Sequence, residues 1–130
     1  MIVVDSSALL AIALMEAERD AFTEIIGTNH CLIGAFTALE CHMVLRDRSG
    51  AEGVEYITTL LTRPHIDLVG FDTELLSVAR HAFDRFGKGR HRAGLNLGDC
   101  MTYALAKFRG VPLLYKGHDF ALTDIRAAVP

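Results

Sequence analysis

Residues 2–9 read Ile-Val-Val-Asp-Ser-Ser-Ala-Leu, and this stretch decides the fold. Its β-branched start, Ile2–Val4, predicts a short buried strand. Asp5 ends that run, and the serines after it supply N-cap chemistry for a helix over about residues 8–16. A buried strand that passes directly into a helix is typical of an α/β domain.

The same alternation continues along the chain. Strands are predicted at residues 31–33, 66–69 and 111–115, with a short fifth starting at Ile125. Helices are predicted over residues 17–26, 36–48, 51–61, 71–86 and 97–108. Short strands alternating with helices predict a three-layer α/β/α domain, in which helices cover both faces of a parallel sheet. With 130 residues and no linker or repeat, we expect one domain over residues 1–130.

Composition narrows the class of protein. A chain that is 51% hydrophobic and 22% charged is not a disordered tail. Its apolar stretches are far shorter than the roughly 20 residues that span a bilayer, so we expect no membrane contact. The first residues lack a basic segment and a cleavage site, which predicts a cytoplasmic protein. Cys31, Cys41 and Cys100 have neither disulfide nor zinc spacing and are expected to be buried thiols.

Four acidic residues are candidates for a site. Asp5 and Asp119 follow predicted strands, where parallel sheets bind their ligands. Glu40 lies among apolar residues on a helix, where a carboxylate is costly unless it is paired, protonated or bound to metal. Asp99 is the third residue of the helix that Asn96 caps. Each also has a structural alternative: helix caps for Asp5 and Asp99, a turn for Asp119, and an arginine pair or the helix edge for Glu40.

Carboxylates gathered by the topology of a sheet repel one another unless a cation joins them. Ligand sets made only of oxygen suit Mg²⁺ and Mn²⁺, and these ions favour phosphodiester hydrolysis. The P-loop, GxGxxG, HExxH and GxSxG motifs of rival enzyme classes are absent from the sequence. For Asp124, a turn is the favoured interpretation.

Several segments together resemble PIN-domain proteins, and in particular the VapC-type toxins of bacterial type II toxin–antitoxin pairs. They are residues 1–9, Glu40 within a helix, residues 95–106 (Leu-Asn-Leu-Gly-Asp-Cys-Met-Thr-Tyr-Ala-Leu-Ala) and residues 113–125 (Leu-Leu-Tyr-Lys-Gly-His-Asp-Phe-Ala-Leu-Thr-Asp-Ile). The resemblance covers essentially the whole chain. It implies a PIN fold and an endoribonuclease that depends on magnesium or manganese.

The resemblance also assigns roles to residues. It implies that the catalytic, metal-binding acids are Asp5, Glu40, Asp99 and Asp119. Ser6 matches a small hydroxyl residue that assists the first acid, and Asn96 would hold the loop before Asp99. The chain departs from the family at His118, where Asn or Asp is usual, and at Arg92, where Pro is usual.

The implied partners are RNA, a VapB-type antitoxin and a second copy of the chain. Family substrates are commonly structured RNAs, including transfer RNAs, and the antitoxin's C-terminal segment lies over the active site. An acidic pocket repels RNA, so nearby cations must guide the backbone. The candidates for this role precede Asp99 on a glycine-rich stretch, with a solvated surface loop as the alternative: Arg85, Lys88, Arg90 and Arg92.

Two more expectations concern surfaces. The first two helices carry apolar residues that are expected to form an interface with an antitoxin or a dimer partner, namely Leu9, Leu10, Ala13, Leu14, Phe22 and Ile26. Tyr103 and Phe108 are expected to lie in the core.

Two rival functions remain open at this point. One is a non-catalytic docking module that keeps the same fold. The other is a phosphotransfer domain, although such enzymes usually need an aspartate two residues after the first, where this chain has Ser7.

Overall fold

The computed structural model describes residues 1–129, so the last residue of the predicted domain lies outside the described part. Four strands form one parallel sheet: β1 Ile2–Val4, β2 Cys31–Gly34, β3 Ile66–Val69 and β4 Leu113–Leu114. Their order is β3-β2-β1-β4, with β1 hydrogen-bonded between β2 and β4. Near the predicted fifth strand, the contact is a single parallel bridge between Leu113 and Ala127.

Helices connect these strands at nearly the predicted positions. They are α1 Ser6–Ala13, α2 Arg19–Gly27, α3 Ala35–Arg48, α4 Ala51–Leu60, α5 Thr73–Phe86 and α6 Leu97–Arg109, followed by a 3₁₀ turn at Phe120–Leu122. Helix α2 starts later than predicted, after a turn in which Met15 adopts a positive φ of 58°. Asp5, Asp72 and Asn96 cap α1, α5 and α6 with their side chains.

The sheet has a hydrophobic cluster on each face, because side chains alternate along each strand. Val4 and Ile33 point to the cluster that includes side chains of α1, α2, α3 and α4. Val3 and Leu32 point to the cluster that includes side chains of α5 and α6. The predicted three-layer α/β/α architecture is therefore confirmed. The three cysteines are buried and free, as expected.

Two surface expectations are wrong. For the interface expected on the first two helices, this holds for half of the residues: Leu9, Phe22 and Ile26 are buried in the core and cannot contact a partner, whereas Leu10, Ala13 and Leu14 are partly exposed. Residues of both helices belong to the core cluster on one face of the sheet, and apolar content alone does not separate a core face from an interface face. Phe108, expected in the core, is 50% exposed, whereas Tyr103 is buried as expected. Within residues 1–129, no helix combines the length and apolarity needed to cross a membrane.

Candidate active site

Asp5 lies at the carboxyl end of β1, in the middle of the sheet. Its backbone N–H donates to the carbonyl of Leu114 at the end of β4, so the two strand ends are held side by side. Its carboxylate is almost fully buried and accepts two hydrogen bonds from Ser7, from the backbone N–H at 3.0 Å and from Oγ at 2.6 Å. Asp5 is thus the N-cap of α1 and also a carboxylate at the ligand-binding end of the sheet.

Asp99 lies in the first turn of α6 and forms a reciprocal capping box with Asn96. The Asp99 backbone N–H donates to Asn96 Oδ1 at 2.9 Å, and the Asn96 N–H donates to Asp99 Oδ2 at 3.1 Å. Burial raises the pKa of Asp99 to about 6; the Asn96 hydrogen bond opposes this rise, and the negative charges of Asp5 and Asp119 add to it. Asp99 is therefore both a cap and a neighbour of two other acids.

Glu40 reaches the same place from α3. Burial of this side chain, followed by the charges of Asp5 and Asp99, raises its pKa to about 7. An arginine partner would have the opposite effect on the pKa, so the ion-pair alternative for Glu40 does not hold. The predicted acids Asp5, Glu40 and Asp99 come from three distant segments and lie close enough to influence one another's ionisation.

Gly98 provides the space for Glu40, a role that the sequence analysis missed. A Cβ atom built on Gly98 would lie 2.5 Å from Glu40 Oε2 and 3.0 Å from Glu40 Cδ. Any larger residue at position 98 would therefore displace the carboxylate from its position beside Asp99. The signal in the sequence is the glycine directly before a candidate acid, where helix propensity alone disfavours it.

Asp119 stands at the open side of this group, just before the 3₁₀ turn that follows β4. It is exposed, like its neighbour His118, and its charge acts on Asp99. Asp119 thus adds a fourth carboxylate from a fourth segment, on the side that faces solvent.

The acids are neighbours, but they have not converged on one point. Within residues 1–129, no three Asp, Glu, His or Cys side chains are already gathered tightly enough to hold a metal ion. Repulsion between carboxylates works against closer approach. One oxygen of Asp5 accepts from Ser7 and one of Asp99 accepts from Asn96, so each carboxylate has a second oxygen left for a cation.

The serine that contacts Asp5 is Ser7. The supporting role that the family resemblance implies for Ser6 stays a prediction. An aspartate at an N-cap position bonds the backbone two or three residues on, which brings Ser7 rather than its neighbour to the carboxylate. Ser7 Oγ also accepts a hydrogen bond from the backbone N–H of Lys116, 3.0 Å away. A single hydroxyl therefore joins Asp5 to the segment after β4.

The predicted basic residues do not behave alike. Arg85 lies over the Phe86 ring, 4.6 Å from its centroid, and 3.4 Å from Asp124 Oδ2. Arg90 lies over Phe83, whereas Lys88 and Arg92 are exposed on the loop between α5 and α6. The side chains of Lys88 and Arg92 are therefore accessible to a ligand in solution, whereas Arg85 forms an ion pair with Asp124.

Asp124 is a structural residue rather than a member of the acidic group. It accepts hydrogen bonds from the Tyr103 hydroxyl and, at 2.8 Å, from Lys107 Nζ. These two donors, with Arg85, hold the pKa of Asp124 below its usual value against the effect of burial. The turn interpretation of Asp124 is therefore wrong, because its carboxylate binds residues of α5 and α6 rather than the neighbouring backbone.

The donor set is chemically suited to a hard divalent cation. All four acids present carboxylate oxygens, the ligands that Mg²⁺ and Mn²⁺ prefer. Burial is the main cause of the raised pKa values of Glu40 and Asp99, and the charges of neighbouring acids add to it. A bound cation would offset both effects. The residues present therefore fit such an ion.

Comparison with known proteins identifies the family of this chain. The family model of the PIN domain matches residues 2–125. The chain is 42% identical over 124 residues to "Ribonuclease VapC30" of Mycobacterium tuberculosis, covering 95% of both chains. Among solved structures, it resembles Mycobacterium tuberculosis VapC20, described as a sarcin–ricin loop cleaving toxin, with a TM-score of 0.80, 13% identity and 96% coverage of both chains.

It also resembles a toxin–antitoxin complex from Klebsiella pneumoniae, with a TM-score of 0.69 and 15% identity, covering 93% of this chain and 91% of that one. At these identities the two structures establish the fold alone. The family match defines the class of protein, a PIN domain with an acidic group at the carboxyl edge of its sheet. With the sequence identity above, the chain belongs to the VapC ribonucleases of the PIN-domain family.

Proposed function

We propose that this protein is a metal-dependent endoribonuclease, the toxin of a type II toxin–antitoxin pair, that hydrolyses RNA phosphodiester bonds. The observation that carries the proposal is electrostatic. Burial raises the pKa values of Glu40 and Asp99, and the charges of neighbouring acids raise them further. Asp5 and Asp99 act on Glu40, and Asp5 and Asp119 act on Asp99, although the four acids come from four separate segments. The match to VapC ribonucleases supports RNA as the substrate, and we propose the cytoplasm as the compartment where it is met.

Mg²⁺ or Mn²⁺, held by Asp5, Glu40, Asp99 and Asp119, is the proposed cofactor. When bound, such an ion polarises the phosphodiester, lowers the pKa of the attacking water and stabilises charge on the leaving oxygen. The residues of the chain provide orientation. Ser7 fixes the rotamer of Asp5, the capping box fixes Asp99, and Gly98 leaves room for Glu40.

Asp119 has a different task in this proposal. It is exposed, whereas Asp5 is buried, so Asp119 is the acid that RNA meets first. We propose that it orients water or completes a second, weaker metal position once RNA phosphates arrive. Lys88, Arg90 and Arg92 would guide the RNA backbone, since all three are exposed on the loop that leads into α6.

The test is metal binding and RNA cleavage by a pair of variants on one helix. Glu40→Gln removes a proposed ligand, and Asp47→Asn removes an exposed carboxylate further along α3. Mn²⁺ binding is measured by calorimetry, and cleavage of total transfer and ribosomal RNA is measured on gels. We expect Glu40→Gln to lose both metal binding and cleavage, and Asp47→Asn to keep both. A wild-type protein that binds no Mn²⁺ and cleaves no RNA would favour the non-catalytic docking module instead.

We further propose that the protein forms a homodimer through the face between α5 and α6. A groove of about 730 Å³ lies there, lined by apolar side chains that include Leu76, Phe83 and Leu97. Leu97 is 80% exposed, a large cost for an apolar residue in water. Arg80 and Asp84 line the same groove one helical turn apart, so two copies related by a two-fold axis can pair them across the interface.

Leu97→Glu tests this interface, because it inserts a charge into the proposed contact. Sedimentation velocity is expected to show a dimer for the wild type and a monomer for the variant. The same sedimentation coefficient for both proteins would refute the proposed face.

An antitoxin is the remaining proposed partner. A smaller groove of about 350 Å³ lies between α1 and α4 and is lined by Leu14, Met15 and Tyr56. Leu14 is one of the residues that the sequence predicts at an interface. Met15 is 73% exposed there. Co-expression with the product of a short reading frame next to the gene tests the pairing. We expect a stable complex that Met15→Asp weakens and the control Met43→Asp, on exposed α3 surface, leaves intact.

A further inference from the structure

Lys116 is attached to the molecule on two sides at the point where the chain leaves β4. Its backbone N–H donates to Ser7 Oγ at 3.0 Å, and the Ser7 hydroxyl donates to Asp5 Oδ2 at 2.6 Å. One end of Lys116 is therefore connected to the buried acid of the site through a single hydroxyl group.

The side chain of Lys116 provides the second attachment. Its ammonium group lies 3.0 Å from Glu16 Oε1 and 3.2 Å from Glu18 Oε1. These glutamates belong to the turn between α1 and α2, which the positive φ of Met15 allows to fold back. The hydrogen bond to Glu16 and the ion pair with Glu18 raise the pKa of Lys116, so the ammonium stays charged at neutral pH.

Lys116 lies only three residues before Asp119, so its two attachments affect the position of that acid. Only Gly117 and His118 separate Lys116 from Asp119, and both are exposed. Gly117 has a φ of 104°, a conformation that side chains other than hydrogen rarely adopt. The direction in which the chain leaves Lys116 thus sets where Asp119 stands relative to Asp99.

We propose that Lys116 is a positioning residue, which holds the segment carrying Asp119 at the edge of the sheet by binding Ser7 and the Glu16–Glu18 turn simultaneously. The inference rests on the proposed function in one respect, namely that Asp119 is an acid of the metal site. Exposed ion pairs contribute little to stability, so removing the ammonium leaves the fold intact. The loss of the ammonium is instead expected to make residues 116–119 more mobile and to weaken metal binding.

The test compares Lys116→Met, which keeps the length of the side chain without its charge, with Lys116→Arg, which keeps the charge. Lys107→Met is the matched control, because it breaks another exposed lysine–carboxylate pair, at the far end of α6. Amide hydrogen exchange is measured without divalent ions, and Mn²⁺ affinity is measured by calorimetry.

In Lys116→Met we expect faster amide exchange at residues 116–119 and Mn²⁺ affinity lower by about tenfold. Substituting residues that orient metal ligands typically lowers metal affinity by about 10- to 100-fold, and tenfold is the lower end of that range. Lys116→Arg restores both quantities, and Lys107→Met changes neither. Glu16→Gln with Glu18→Gln reproduces the Lys116→Met effect, and combining all three substitutions adds nothing further, since they remove one interaction.

Two results overturn the positioning role: unchanged exchange at residues 116–119 in Lys116→Met, or faster exchange with an unchanged Mn²⁺ affinity. A wild-type protein that binds no Mn²⁺ would overturn the proposed function instead. In that case faster exchange in Lys116→Met would still establish the attachment, so the two failures are distinguishable.

Discussion

Replacing Gly98 by alanine is expected to separate activity from stability. The new Cβ atom would stand 2.5 Å from Glu40 Oε2, whereas ordinary van der Waals contact begins at 3.4 Å. The carboxylate must therefore move by about 1 Å, and since it is the end of a flexible side chain, the backbone need not follow. A misplacement of about 1 Å in a reacting site costs on the order of 100-fold in rate.

The stability of the same variant changes in the other direction. Gly98 is the second residue of α6, and in a helix alanine is favoured over glycine by up to about 1 kcal/mol. We expect a thermal midpoint equal to or above that of the wild type. The combination of a stable fold with lost activity would distinguish a displaced ligand from general damage.

The assay measures RNA cleavage under saturating Mg²⁺ and Mn²⁺ affinity by calorimetry. Gly27→Ala is the control, because a Cβ atom at the end of α2 would contact nothing within 4 Å. Wild-type cleavage and wild-type Mn²⁺ affinity in Gly98→Ala would refute the argument that Glu40 acts from its position over Gly98.

Three other predictions follow from the same site. Asp99→Asn is expected to abolish cleavage while the metal-free protein folds normally or gains stability. The amide oxygen can still accept the hydrogen bond from Asn96, and a repelling charge is lost. Cleavage at the wild-type rate would exclude Asp99 from the site. Glu40 protonates in the folded protein near pH 7 rather than 4.5, so the folded state holds the extra proton between these values. The stability of the metal-free protein should therefore fall as pH rises through this window, while Mn²⁺ affinity rises because bound carboxylates must be ionised. Thermal melts of the wild type and Glu40→Gln check this, and parallel pH profiles for the two would contradict it. Finally, the double variant Arg90→Ala with Arg92→Ala is expected to bind RNA more weakly. The slope of log binding constant against log salt concentration should become shallower by about one unit per lost phosphate contact. An unchanged slope in filter-binding assays would show that neither arginine contacts the RNA.

Sequence reasoning singles out Asp5, Glu40 and Asp119 because each one breaks a local rule or follows a strand end. Asp5 follows a β-branched run, and Glu40 interrupts an apolar helix face. Asp99 is harder to recognise, since its capping box is real and by itself explains the residue. Only the three-dimensional structure shows that the same carboxylate also lies near enough to Asp5 and Asp119 for their charges to raise its pKa.

The features that the sequence does not reveal depend on contacts between remote segments. Nothing local to Gly98 indicates that Glu40, on another helix, occupies the space above it. The choice of Ser7 over Ser6 depends on cap geometry at the level of one residue. In the same way, the hydrogen bond between Tyr103 and Asp124 joins residues on two elements whose packing is decided elsewhere.

The adjacency of β1 and β4 has a consequence for the protein during its own synthesis. The strand β1 is synthesised before its neighbour β4, since Leu113–Leu114 lies more than a hundred residues further along the chain. Until then Asp5 has no Leu114 carbonyl to bind, and Asp119 has not been made. A growing chain would thus be harmless to the ribosome-bound and free RNAs around it, because the proposed nuclease is completed only when its last strand joins the sheet.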